Sequence, residues 1–341
     1  MNIKQLFVAS AALLTLAACS SDDQQTGREA QQLPIRLSNN LVPTDDATRA
    51  GGSYAKGFLS GTEFWVWADM TDEGESDARF RVKEYISSWR LTVNASDEST
   101  FDTETAQTFH VYNKMSFYAM HGNFSNTFTA DQSSFPGVLT HNVLTTQTSD
   151  GQYLSSDLVY AVKPDVTPTA SVVPLTFYHM LSKIEVALKP GNQMTEAQLK
   201  TVDETKVTVS VIGTKTSVQF RPSKLATRAP STLEGRTAML TIPEGATAQP
   251  VTLSTVTTTD FTDGTCAAAI VVPQTVDGQF IRLSYQGHDT YYSVSNLELK
   301  SGYRYRFNLT VDRIGETYTI TGDELTMQPW DDKDAAAMWI E

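Results

Sequence analysis

His179, Ser182 and Lys183 stand within five consecutive residues of the segment Ser171–Pro190. They are the side-chain types of a nucleophile with its base. Val173, Leu175, Phe177 and Leu181 are apolar at every second step, which is strand periodicity. That alternation puts His179 on the apolar face and Ser182 on the opposite one unless a bulge intervenes, so a hydroxyl–imidazole pair is not supported. A lone histidine on an apolar face reads as a hydrogen-bonded core residue. The other histidines, His110, His121, His141 and His288, are scattered. There is no glycine-rich phosphate loop after a strand, no paired-cysteine metal spacing and no His-Glu-x-x-His. The acidic run Asp69–Asp77 lacks the regular oxygen spacing of a calcium loop and reads as solvated charge. No catalytic residue, metal ligand or cofactor is expected.

The two cysteines differ in context. Leu6–Ala18 is a mainly apolar run after a short start with one lysine, too short to span a bilayer and typical of a secretory signal. It ends in Leu16-Ala17-Ala18-Cys19, which resembles a bacterial lipobox. That resemblance implies cleavage between Ala18 and Cys19, lipid on Cys19, and attachment to the outer membrane through that lipid. Ser20-Ser21-Asp22-Asp23 resembles the acidic tag that directs some lipoproteins to the cell surface. Cys266 opens the run Cys-Ala-Ala-Ala-Ile-Val-Val and reads as a small core residue in a buried strand. With Cys19 lipidated, no disulfide is available.

The elements that position these residues are strands. A chain of 341 residues suits two domains, and 40% hydrophobic residues with 10% aromatics can build real cores. Abundant Thr and Ser, scarce helical periodicity and turn residues about every ten positions indicate an all-β chain. A net charge of −13 repels phosphate backbones, so nucleic acid is not an expected partner.

Ser20–Gln32 is a polar tether. Leu33, Ile35 and Leu37 alternate with polar residues, and Pro34 lacks an N–H, so this short strand belongs at a sheet edge. Val42–Gly52 is a polar loop suited to trypsin-type cleavage between Arg49 and Ala50. Ala226-Thr-Arg-Ala229 repeats the tetrapeptide Ala47–Ala50 in a hairpin loop. Trp65 and Trp67 share a face of the strand Phe58–Ala68, where aromatics either pack a core or stack on a sugar. Further strands are expected at Trp89–Val93, Gln107–Tyr112, Met115–Met120, Asp157–Ala161, Val207–Val211, Ala238–Ile242 and Ala267–Val272. Lys163–Pro168 carries two prolines and reads as an interdomain link. In Val172–Leu188 the apolar phase changes, which predicts one long bent strand with a bulge near Ser182–Lys183. Gly287-His288-Asp289 is a hairpin turn. Tyr303, Tyr305, Phe307, Leu309 and Val311 keep one face and form the clearest strand.

Taken together, the lipobox, a leader ending in Thr-Arg49, Phe177-x-His179-x-Leu181-Ser182-Lys183-Ile184, Leu297-x-Leu299-x-x-Gly302-x-x-Tyr305-x-Phe307-x-Leu309-Thr310-Val311 and the late Trp330-Asp331 resemble the fimbrillins, the type V pilins and their relatives. The resemblance implies two tandem transthyretin-like β-sandwich domains, here 50–166 and 167–341, behind a signal peptide (1–18) and a lipidated leader (19–49). It implies a structural subunit of a surface fimbria, as stalk, tip or accessory pilin, that mediates adhesion. It also implies cleavage after Arg49 by a trypsin-like protease and assembly with other copies or related subunits by donor-strand exchange. Loss of the leader strand would leave unpaired backbone and an uncovered core for a neighbour's strand to fill. Met338, Trp339 and Ile340 are the candidate apolar donor residues. An anchor subunit would keep its lipid and leader. The alternative from another class is a surface glycan-binding lipoprotein using Trp65, Trp67, Trp89 or Tyr291-Tyr292 as platforms, which requires those rings to be exposed.

Overall fold

A computed structural model describes residues 33–41, 58–72, 74, 82–199, 207–258, 261–315, 317–330 and 338–339. The chain is all-β. In order, β1 (Leu37–Leu41), β2 (Glu63–Thr71), β3 (Val82–Val93), β4 (Phe101–Asp102), β5 (Met115–His121) and β6 (Leu139–Asn142) lead to the short helix α1 (Asp150–Ser156). β7 (Val159–Val166), β8 (Val173–His179), β9 (Ser182–Pro190), α2 (Glu196–Leu199), β10 (Val207–Val211) and β11 (Ser217–Phe220) follow. Then come α3 (Leu233–Ala238), β12 (Leu240–Thr241), β13 (Val251–Thr252), β14 (Ser254–Thr258) and β15 (Phe261–Val271). The last strands are β16 (Thr275–Tyr285), β17 (His288–Glu298), β18 (Tyr303–Ile314), β19 (Thr317–Pro329) and β20 (Met338–Trp339).

These strands form four sheets. A seven-stranded sheet has the order β1-β8-β7-β5-β2-β3-β4, and a three-stranded one β12-β11-β6. The other two are a six-stranded sheet, β14-β15-β9-β18-β19-β20, and a four-stranded one, β13-β10-β16-β17. Ring contacts mark the packed faces: Tyr160 of β7 meets Phe220 of β11 at 5.4 Å, and Phe280 of β16 meets Phe307 of β18 at 5.5 Å. β18 has the expected alternation, with Tyr305, Phe307, Leu309 and Val311 buried. The β16–β17 hairpin turns on Gln286 and Gly287, both at positive φ, so the turn sits just before His288.

The segment Val172–Leu188 departs from its expected form. It is not one bent strand: β8 pairs with β7 and β1, while β9 pairs with β15 and β18 in another sheet. The break at Met180–Leu181 is held from outside. Met180 N–H donates to Leu158 O, Ser301 Oγ donates to Met180 O, and Gly302 N–H donates to Leu181 O. The change of apolar phase therefore marks a change of sheet, not a bulge. Lys163–Val166 lies within β7 rather than in a link, so the first sheet continues past residue 166 to His179. Gln107–Tyr112 forms no strand and makes one bridge, Thr108 to Pro34. Of Ala238–Ile242, only Leu240–Thr241 is strand, because residues 233–238 turn into α3 behind a Thr232 cap.

Candidate assembly site

The leader segment sits in a slot with two walls. β1 runs parallel to β8, with Leu37 opposite Val173, Asn39 opposite Leu175 and Leu41 opposite Phe177. Ile35, Leu37 and Asn39 point inward and are buried, Leu33 is half-buried against the core, and Pro34, Arg36 and Asn40 face out. The opposite edge is also bonded. Ile35 N–H donates to Gln107 O at 2.9 Å and Phe109 N–H to Leu33 O at 2.8 Å, which flank the Pro34–Thr108 bridge. In that antiparallel pattern Pro34 occupies a non-hydrogen-bonded position, so its missing N–H leaves nothing unsatisfied. Ser38 bridges Thr100, Asn39 N–H donates to Ser99 O at 2.9 Å, and the Asn39 amide donates to Glu98 O at 2.7 Å.

β1 is thus one end of the sheet order, and its outer edge is bonded to residues flanking β4 at the other end. Sequence alternation marked its inward residues but could not reveal the second wall. That wall comes from the turn at Asp97–Thr100, which Asp97 organises by accepting from Ser99 N–H and Ser99 Oγ at 3.0 and 2.6 Å. Those bonds hold its carboxyl below the usual range. Asn39 is the inward residue that apolar patterning missed, since its polar side chain hides a core-facing position.

The fimbrillin-resembling motif around His179 converges on a second feature, a sealed polar cluster where β8 gives way to β9. His179 Nδ1 lies 2.7 Å from Asp157 Oδ2, both fully buried, and its ring stacks on Trp330 at 3.7 Å and 5°. Lys183 Nζ is 5.8 Å from the Trp330 ring and 2.7 Å from Glu185 Oε1. Arg306 Nε, from neighbouring β18, is 3.0 Å from Glu185 Oε2. Burial pushes the Glu185 carboxyl up, but Lys183, Arg306 and Arg304 outweigh it and hold it down at about 2. Ser182 Oγ donates instead to Lys300 O at 2.8 Å. Its hydroxyl is committed away from His179, and the cluster ties strands together instead of presenting a nucleophile. Glu185 announced itself only as a charge two residues after Lys183 in an apolar strand; Asp157 and Arg306 had no local signal.

His141 is also fully buried. It bonds Ser156 O through Nε2 at 3.0 Å and accepts Asn123 N–H at Nδ1 at 3.0 Å, which fixes a neutral ring. Burial lowers its pKa from 6.5 to about 4. Between those values the unfolded chain binds a proton that the folded chain refuses. Stability is therefore full above pH 6.5 and falls by about 3 kcal/mol as pH drops to about 4. His141→Gln is expected to flatten that slope in urea unfolding midpoints compared at pH 7 and pH 4.

Two of the candidate sugar platforms are inaccessible. Trp67 and Trp89 are buried, and their indole N–H groups donate to Ser133 O and to Thr103 Oγ1 at 2.8 Å. Trp65 is half-buried against Phe128 at 5.3 Å. Tyr291 is the more exposed of its pair, at 37%. At the C-terminus, Met338 and Trp339 form β20, paired with Met327 and Thr326 at the edge of the six-stranded sheet. Ala18, Cys19, Arg49, Ala50 and Ile340 lie outside the described residues. Among the described residues, no His/Cys/Asp/Glu group could hold a metal ion, and no helix is long and apolar enough to cross a membrane.

A family model described as fimbrillin-like matches residues 48–330. The fold is similar to that of a candidate cell-adhesion protein from Bacteroides ovatus, at 16% identity and a TM-score of 0.57, over 86% of this chain and 97% of that one. It is also similar to a candidate cell-adhesion protein from Bacteroides uniformis, at 17% identity and a TM-score of 0.53, over 87% of this chain and 98% of that one. No curated protein matches the chain.

Proposed function

Because this chain belongs to the fimbrillin-like family, we propose that it is a structural subunit of a surface fimbria, assembled by strand exchange and serving adhesion. In this reading Cys19 carries a lipid that holds the precursor at the outer membrane. A trypsin-like protease then cuts between Arg49 and Ala50 and releases β1. The chain is two β-sandwiches: it leaves the first where β8 gives way to β9, and β11 and β12 return to pair with β6.

The observation that supports this most is the two-walled slot under β1. A leader cut away at Arg49 would expose the paired backbone of β8 on one side and residues 99–109 on the other, above the buried side chains Val173, Leu175 and Phe177. A strand added there gains main-chain bonds on both edges, which is β-augmentation at its strongest. A donor strand that turns Met338 and Ile340 inward, with Trp339 on its other face, gains about 1.5–3 kcal/mol from each. The donor is the C-terminal segment carrying Met338, Trp339 and Ile340. Among the described residues it carries β20, which pairs with β19 at two positions on the edge of the six-stranded sheet. The burial of Trp67 and Trp89 argues against the glycan-binding alternative.

The test is a low dose of trypsin on the purified precursor, followed by unboiled gels. A ladder of stable multimers is expected for the natural chain and none for Arg49→Ala. A leaderless product that stays monomeric, or Arg49→Ala chains that assemble, would overturn the reading. N-terminal sequencing of cell-surface protein separates the roles: Ala50 first identifies a polymerised subunit, Cys19 an anchor.

A further inference from the structure

The tetrapeptide Ala47-Thr48-Arg49-Ala50 recurs as Ala226-Thr227-Arg228-Ala229. In the second copy, residues 226–228 form a single 3-10 turn between β11 and α3, with extended backbone at Leu225 and Ala229. Leu225 to Arg228 are all exposed, Leu225 at 63%. The crest is fixed at both feet. Upstream, Lys224 Nζ pairs with Asp69 Oδ1 at 2.6 Å and lies 4.4 Å from the Phe135 ring. Downstream, Arg236 Nη1 donates to Pro230 O at 2.9 Å, and Gly235 packs so closely on Ala229 that a Cβ there would collide with its carbonyl.

The other arginines among the described residues lie in strands or in α3, are bonded into a sheet, or precede proline. Arg90, Arg282, Arg304, Arg306 and Arg313 lie within strands, and Arg236 is buried in α3. Arg36 lies in the lead-in to β1 and its carbonyl accepts from Val173 N–H. Arg221 is exposed but precedes Pro222, whose ring-locked nitrogen resists such proteases. An exposed connection whose backbone is outside any sheet is where chains are nicked.

We propose that Arg228 is a second processing site for an arginine-specific protease. Water adds to the Arg228 carbonyl and the bond to Ala229 breaks, leaving a carboxylate on Arg228 and an ammonium on Ala229. The exposed crest alone carries the cut; that the same enzyme makes it rests on the Arg49 reading. The nicked chain stays one body. β9, before the cut, lies between β15 and β18, β10 between β13 and β16, and β11 pairs with β12, so five strand pairings among the described residues cross the gap.

The experiment digests the folded full chain, Arg49→Ala, Arg228→Ala and Arg228→Lys in parallel, with trypsin and with an arginine-specific protease. Denaturing gels, N-terminal sequencing and size exclusion read the products. A fragment beginning at Ala229 is expected at the dose that removes the leader, and also in Arg49→Ala. It is lost in Arg228→Ala, and in Arg228→Lys it is lost with the arginine-specific enzyme but kept with trypsin. The nicked chain co-elutes with the intact one. An Arg228 bond that survives while Arg49 is cleared, or that breaks only after denaturation, overturns the site. Pieces that separate on the column overturn the one-body product. Cleavage at Arg228 with Arg49 untouched upholds this site and counts against maturation at Arg49.

Discussion

A chain starting at Ala50 is expected to unfold at a much lower urea concentration than the full-length chain, or to self-associate. A synthetic peptide of residues 33–41 is expected to restore both stability and the monomer. Ile35 and Leu37 are each removed from water by this segment, which accounts for about 1.5–3 kcal/mol per side chain. The backbone terms add to this. Deletion strips partners from β8, from Ser99 and from Gln107–Phe109 at once. Buried main-chain groups without partners cost on the order of 1–3 kcal/mol each. A domain stable by about 5–15 kcal/mol does not absorb such a loss unchanged. Point variants separate the contributions. Leu37→Ala costs about 2–4 kcal/mol through the cavity it leaves. Asn39→Ala removes the donor to the Glu98 carbonyl and costs about 0.5–1.5 kcal/mol, whereas exposed Arg36→Ala changes little. A leaderless chain with the melting behaviour of the full chain would remove the physical basis for exchange, because the slot would then need no strand.

Glu185→Ala is expected to be the most damaging single substitution near the joint, at about 3–5 kcal/mol, because it removes the buried carboxylate that pairs with both Lys183 and Arg306. Replacing the pair together, Lys183→Met with Glu185→Leu, should cost less than Glu185→Ala alone. The pH dependence has a definite sign. The folded carboxyl sits near 2, below its ordinary 4.5, so its stabilisation is complete above about pH 4.5. About 3 kcal/mol is lost as pH falls from 4.5 to 2. This window lies below that of His141, so an acid titration of the urea midpoint should show two successive declines, the upper removed by His141→Gln and the lower by Glu185→Gln. A single decline unaffected by Glu185→Gln would show that the carboxylate is not what binds the cluster.

Local pattern settled a good deal by itself. Period-two alternation located β18 and the inward residues of the leader, because a strand's side chains alternate whatever it pairs with. Gly287 located the hairpin, because positive φ is a property of single residues. Short motifs in a set order were enough to place the chain among the fimbrillins, as the match over residues 48–330 bears out. Partner choice was a different matter. β8 and β9 carry similar alternation across two residues of break, yet Leu158, Ser301 and Gly302 hold that break open and send the strands to different sheets. Asp157 meets His179 across 22 residues and Arg306 meets Glu185 across 121, so no window of sequence contains either pair. The leader's second wall belongs to this class too. Alternation tells a strand which way its side chains face, but the hydrogen bonds along its edges are made with residues distant in the chain, and only the folded protein brings those together.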